Sequence, residues 1–217
     1  MKKDFDLVVF DLDGTLIDSL DDLTAAANHA RAQFSLPSLT AATVRTFIGN
    51  GATALMALVL PGLHEKERAR GLQAFLDYYA GHLLDKTILY PGIASVLARR
   101  GRCTLAVLTN KMETHSRSIL AGLGVLDAFT FVWGSDTMHV RKPSPDALMA
   151  MMHRLNVAPG RTLMIGDGVA DIRCARAAGT SVIAVGYGYS DPERLKELKP
   201  DGYYQRPQEL LEAPCFG

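Results

Sequence analysis

The stretch "VVFDLDGTLIDS", residues 8–19, decides how the chain is read. An apolar run stops abruptly at Asp11, and Asp13, Gly14 and Thr15 follow at once. A strand covered on both faces shows an unbroken apolar run rather than alternation, and "FDLVVF" (5–10) has that character. Four more runs share it: "TLAVLT" (104–109), "FTFVW" (129–133), "TLMIG" (162–166) and "SVIAV" (181–185). Helix-length segments lie between them at 92–100, 112–122, 145–156 and 169–178. Gly101, Gly122, Gly124 and Gly179 stand where those helices should stop, and Pro145 suits a first turn. The alternation predicts an α/β fold, a doubly wound parallel sheet with a Rossmann-like core, built from 1–17 and 86–217.

The interval 18–85 breaks the rhythm. It holds no convincing strand and reads as helices at 19–34, 41–48, 51–59 and 65–84, with Leu72, Phe75, Leu76, Tyr79 and Leu83 at helical spacing in the last. A small inserted helical cap domain is expected there. The chain has 217 residues, 48% of them hydrophobic, enough for a sizeable core. Its 23 basic and 23 acidic residues cancel, and no Lys/Arg-rich run stands out, so nucleic acid and anionic membranes are poor partners. Cys103, Cys174 and Cys215 have no metal or redox spacing, which suits free thiols in a cytoplasmic protein. The composition does not address oligomeric state.

In an open α/β sheet the site lies beyond the carboxyl ends of the strands. Those ends carry Asp11 and Asp13, then Thr109 and Asn110, then Lys142 in the loop "VRKPSPD", then Asp167 with Asp171 one helical turn later in "GDGVAD". Each residue alone is unremarkable; the ordered set is not. Clustered carboxylates repel, so a cation must sit among them. The donors are all oxygens with no His or Cys nearby, which favours a hard cation, Mg²⁺ over zinc. Lys142, Thr109 and the backbone N–H groups after Asp11 complete the parts of a phosphoryl-binding site. In extended chain, residues two apart point the same way. Asp11 and Asp13 can therefore address one phosphorus, one as nucleophile and one as acid/base, with Gly14 letting the backbone approach the phosphate.

"DLDGTLIDS", "LTNK", "RKPSPD" and "GDGVAD" resemble the four ordered motifs of the haloacid dehalogenase superfamily over essentially the whole chain. The resemblance implies a phosphatase that hydrolyses a small phosphate monoester through an aspartyl-phosphate. It makes Asp11 the nucleophile and Asp13 the acid/base, with Thr109 and Lys142 holding the phosphoryl group. Mg²⁺ would be bound by Asp11, the Asp13 backbone carbonyl and Asp167, with Asp171 in support. The order "TFIGNGATALM", "LYPGI" and "GYGYSD" is similar to the phosphoglycolate phosphatase branch, so a small phosphorylated metabolite such as 2-phosphoglycolate is the expected partner. A phosphomutase of the same superfamily and a phospho-accepting signalling module are the alternatives; the insert and Asp13 count against the module.

Gly168 departs from the family pattern, in which a hydroxyl residue is frequent after the motif acid. Arg45 and Asn50, around the "GNG" turn, are candidates to read the substrate beyond its phosphate. Lys111 follows the motif pair within reach of substrate, with a solvated charge as the expected reading. His29, His82, His115 and His139 have no partner pattern, Trp133 is expected in the core, and Tyr187 and Tyr189 fit turn packing or the border of the crevice.

Overall fold

The computed structural model describes residues 4–99, 101–213 and 215–216. Four of the five apolar runs form strands close to their expected limits: β1 (Leu7–Phe10), β4 (Thr104–Leu108), β6 (Thr162–Gly166) and β7 (Ser181–Val185). The fifth is trimmed to β5 (Phe131–Trp133), and a short β8 (Gly202–Tyr204) closes the sheet. All pairings are parallel, in the order β5-β4-β1-β6-β7-β8. Counted along the chain, these six strands follow the doubly wound order in which the crevice opens beside the first strand.

The strands read as continuously apolar because alternate residues serve two cores. Val8, Phe10, Leu105, Val107, Leu163 and Ile165 face one side. There they pack on α5 (Ile93–Ala98), α6 (Glu113–Gly122) and the C-terminal residues Leu210 and Phe216. Leu7, Val9, Ala106, Leu108, Met164 and Val182 face the other. They meet α7 (Asp146–Leu155), α8 (Val169–Ala177) and α9 (Pro192–Glu197). The helix expected over 92–100 ends at Ala98, and its last position lies outside the described residues. Trp133 is half-buried at the rim of the second core.

The interval after β1 is helical, as expected: α1 (Leu20–Ala32), α2 (Ala41–Arg45), α3 (Ala52–Val59) and α4 (Glu65–Gly81). Leu23, Ala27, Val44, Met56, Phe75 and Tyr79 give this insertion its own apolar cluster. Its two ends meet in an antiparallel ribbon of β2 (Ile17–Asp18) and β3 (Ile88–Leu89). The sequence gives this ribbon no signal, since two-residue strands have no periodicity to read.

Beside the ribbon, buried Asp22 at the start of α1 accepts hydrogen bonds from Lys86 N (3.0 Å), Thr87 N (2.8 Å) and Thr87 Oγ1 (2.7 Å). One carboxylate thus fastens the chain entering the insertion to the chain leaving it. Asp22→Ala strands two backbone donors, one of them buried, and should cost about 3 kcal/mol, read as a lower urea midpoint at unchanged m-value. A loss below about 1 kcal/mol would show that water replaces the carboxylate without cost.

Candidate active site

Asp11 leaves β1 still in register with the sheet: its N–H donates to Ile165 O at 2.8 Å, and its Oδ1 accepts from Leu12 N at 2.7 Å. The chain then turns tightly, with Leu16 N on Leu12 O (2.9 Å) and Gly14 N on Ile17 O (2.9 Å). Gly14 has φ +82°, and a Cβ there would stand 2.3 Å from Asp167 Oδ2. Gly166 is bare for a similar reason, since a Cβ would meet Asp171 Oδ2 at 2.2 Å. These backbone positions lack side chains because carboxylates occupy the space.

The structure brings Asp11, Asp167 and Asp171 together at the carboxyl ends of β1 and β6. Each offers an oxygen within 4.8 Å of the others. Lys142, from the loop after β5, stands among them, its Nζ 2.8 Å from Asp11 Oδ1 and 2.6 Å from Asp171 Oδ1. Asp171 also accepts from Gly168 N at 2.8 Å through its other oxygen. Asp167 accepts from Tyr189 N (2.6 Å) and Thr15 Oγ1 (3.3 Å).

Burial, then the neighbouring Asp171 charge, pushes Asp11 up to about 7 although Lys142 opposes this. Burial, then Asp11 and Asp171, pushes Asp167 up to about 8. Burial alone would lower the Lys142 ammonium, but Asp11 and Asp171 hold it above the usual lysine range. One lysine does not balance three clustered acids. The donor set is all oxygen and short of positive charge, which fits a hard divalent cation held by these acids.

Asp13 sits apart from this cluster. Its Oδ1 accepts from Ser19 Oγ at 2.5 Å and lies 3.2 Å from Lys111 Nζ. Lys111 is not solvated as expected. Its side chain is 7% exposed, its ammonium donates to Tyr79 OH at 2.8 Å, and it lies 4.4 Å from the centre of the Tyr79 ring. Strand-end position beside Thr109 was the signal that could have found Lys111. Tyr79, 32 residues away on α4, reads only as part of an apolar stripe. Asp11, Asp13, Thr109 and Lys111 line a cavity of about 650 Å³ that α4 walls with Leu72, Phe75 and Tyr79.

Thr109 is buried at the end of β4 and opens on that cavity. Asn110 is engaged as a brace: its Nδ2 donates to Gly49 O (2.9 Å) and Lys142 O (3.0 Å), and its Oδ1 accepts from Lys142 N (2.9 Å). Arg45 and Asn50 line a second cavity of about 490 Å³ that also reaches Asp11 and Asp13. The Arg45 guanidinium is bonded to the carbonyls of Gly188 and Tyr189, an arrangement invisible in sequence. Tyr189 lies at the border of the crevice, its hydroxyl bonded to Asp18 Oδ1 (3.0 Å) and Ser19 N (2.7 Å). A Cβ at Gly168 would stand 3.0 Å from Asp171 Oδ2, so the bare position suits its acid. His115 packs edge-on to Tyr79, and burial, then Lys111, lowers its pKa.

Comparison with known proteins agrees with this geometry. The family model for haloacid dehalogenase-like hydrolases matches residues 8–185. A phosphoglycolate phosphatase of Chromobacterium violaceum is 36% identical over 200 residues, covering 89% of this chain and 90% of that protein. One from Vibrio vulnificus is 34% identical over 98% of this chain and 97% of its own. The crystal structure of a predicted phosphoglycolate phosphatase from Haemophilus somnus superposes with a TM-score of 0.90 at 31% identity, covering 96% of this chain and 97% of the other. With its parallel sheet, helical insertion and acid-lined crevice, this chain belongs to the haloacid dehalogenase-like hydrolases.

Proposed function

We propose that the protein is a Mg²⁺-dependent phosphatase of a small phosphate monoester, 2-phosphoglycolate first, working through an aspartyl-phosphate on Asp11. The carrying observation is Lys142 gripping Asp11 and Asp171 inside a triad of acids at the strand ends. The names of the relatives at 34–36% identity support the choice of substrate.

In this reading residues 18–85 act as a cap domain over the core crevice, a role supported by their separate apolar cluster. Asp11, Asp167 and the Asp13 carbonyl hold Mg²⁺, and Asp171 anchors Lys142 and supports the site. The bound ion supplies positive charge against which the phosphoryl oxygens can approach the carboxylates. Lys142 and Thr109 bind the phosphoryl group and Gly14 lets the backbone close on it. Asp11 attacks phosphorus while Asp13 gives a proton to the leaving oxygen; Asp13 then takes a proton from the water that frees phosphate. Ser19 and Lys111 orient Asp13 for both transfers. Asn110 keeps Lys142 in line, and Arg45 and Asn50 border the substrate's organic part.

Phosphate release from a panel of phosphoesters, with and without Mg²⁺, tests the reading as a whole. Asp11→Asn should abolish turnover in a folded protein. Asp13→Asn should slow alkyl phosphates by about 10²–10⁴-fold, the usual worth of a general acid. With p-nitrophenyl phosphate, whose leaving group needs no proton, it should release a burst of about one equivalent and then stall for want of a base. Steady turnover of p-nitrophenyl phosphate at the wild-type rate would remove Asp13 from the second step.

Metal binding should be linked to protons. Asp11 and Asp167 are raised from their ordinary 3.8 to about 7 and about 8. The metal-free fold therefore holds protons that the unfolded chain releases. Their stabilising contribution is full below about pH 4 and is lost as pH rises through about 7 to 8. Mg²⁺ must displace those protons, so its affinity should rise with pH across that window and level off above it. Titration calorimetry in two buffers of different ionisation enthalpy should show proton release near neutrality that vanishes above about pH 9. Affinity flat across this range would contradict the assignment.

A further inference from the structure

The proposed substrate carries a carboxylate as well as a phosphate, and a buried carboxylate needs a cation. His139, Arg141, Arg173 and Arg194 line the two cavities but are exposed, which leaves three candidates at the crevice. Arg45 is already bonded to the Gly188 and Tyr189 carbonyls. His115 is shifted towards its neutral form. Lys111 remains: its buried side chain lines the 650 Å³ cavity that Asp11 and Thr109 also line.

We propose that Lys111, steadied by Tyr79, binds the second anionic group of the substrate and thereby selects phosphate esters with a carboxylate close to the ester oxygen. The inference rests on the phosphatase reading above. An ammonium has three N–H donors. Two are used, on Tyr79 OH (2.8 Å) and Asp13 Oδ1 (3.2 Å), which leaves one for a ligand. The Tyr79 ring, 4.4 Å from Nζ, keeps the charge partly desolvated without neutralising it. The contact with Asp13 sets the reach. Asp13 serves the leaving oxygen, so an anion on Lys111 lies only a few bonds from that oxygen. A carboxylate on the adjacent carbon satisfies this; one at the end of a long chain does not. Tyr79 belongs to α4 and Lys111 follows β4, so the pocket is complete only where insertion and core meet.

The test compares 2-phosphoglycolate with ethyl phosphate, in which a methyl replaces the carboxylate, in wild type, Lys111→Met, Lys111→Arg and Tyr79→Phe. Wild type should prefer 2-phosphoglycolate. Lys111→Met should lower kcat on both esters, since it also frees Asp13, but should raise KM for 2-phosphoglycolate alone, by about 10- to 100-fold, the worth of a charge-assisted hydrogen bond. Lys111→Arg should restore much of the preference. Tyr79→Phe should erode it by a few fold and decides the matter if Lys111→Met fails to fold. A KM unchanged or raised equally on both esters would overturn the inference, leaving Lys111 as a support for Asp13. A wild type that hydrolyses both esters equally well would overturn the choice of substrate itself. Retained preference in Lys111→Met would overturn the role of Lys111 alone.

Discussion

Everything in the crevice depends on one ammonium placed between two carboxylates. Lys142 Nζ lies within 2.8 Å of Asp11 and 2.6 Å of Asp171, with its side chain 2% exposed. Without it, three acids converging at the ends of two adjacent strands would repel one another in a poorly solvated space. With it, the cluster is only partly neutralised, and Asp11 and Asp167 remain above the normal carboxylate range. That residual imbalance is what a hard cation and a phosphoryl group can use. Replacing Lys142 by an apolar residue would leave the acids buried without their partner, which is why the loop carrying it is braced by Asn110.

The fold exists, in this sense, to hold that imbalance in place. The central strand β1 is flanked by β4 and β6, so residues from three strand ends meet without any long excursion. Bare backbone at Gly14 and Gly166 leaves room for the acids, and Tyr189 N and Gly168 N satisfy oxygens that Lys142 does not reach. The insertion contributes from the other side. It closes the cavity with α4, touches the core through Asn110 on Gly49 and through Arg45 on the loop at Gly188, and is fastened at its base by Asp22.

Much of this was legible in sequence, and the reasons are physical. β1, β4, β6 and β7 are covered on both faces, so their composition betrays them. Asp11, Thr109 and Asp167 stand directly after those runs, so the strand-end rule groups them before any coordinates do. β8 and the β2–β3 ribbon escape because strands of only two or three residues carry no pattern. Lys111 reads as solvated in sequence because its partners, Asp13 and Tyr79, lie 98 and 32 residues away, and nothing local reports burial. The bond of Arg45 to Gly188, 143 residues on, is a product of tertiary packing alone.

The central claim is that Asp11 is the group to which phosphate is transferred. The most direct measurement is reductive trapping during turnover. Borohydride reduces an acyl phosphate, but not a free carboxylate, to the alcohol, so an aspartyl-phosphate becomes homoserine. Quenching the protein with borohydride while it hydrolyses 2-phosphoglycolate in Mg²⁺, followed by peptide mass spectrometry, should show homoserine at position 11 and at no other aspartate. Homoserine at another position, or none in a protein that is turning over, would contradict the account.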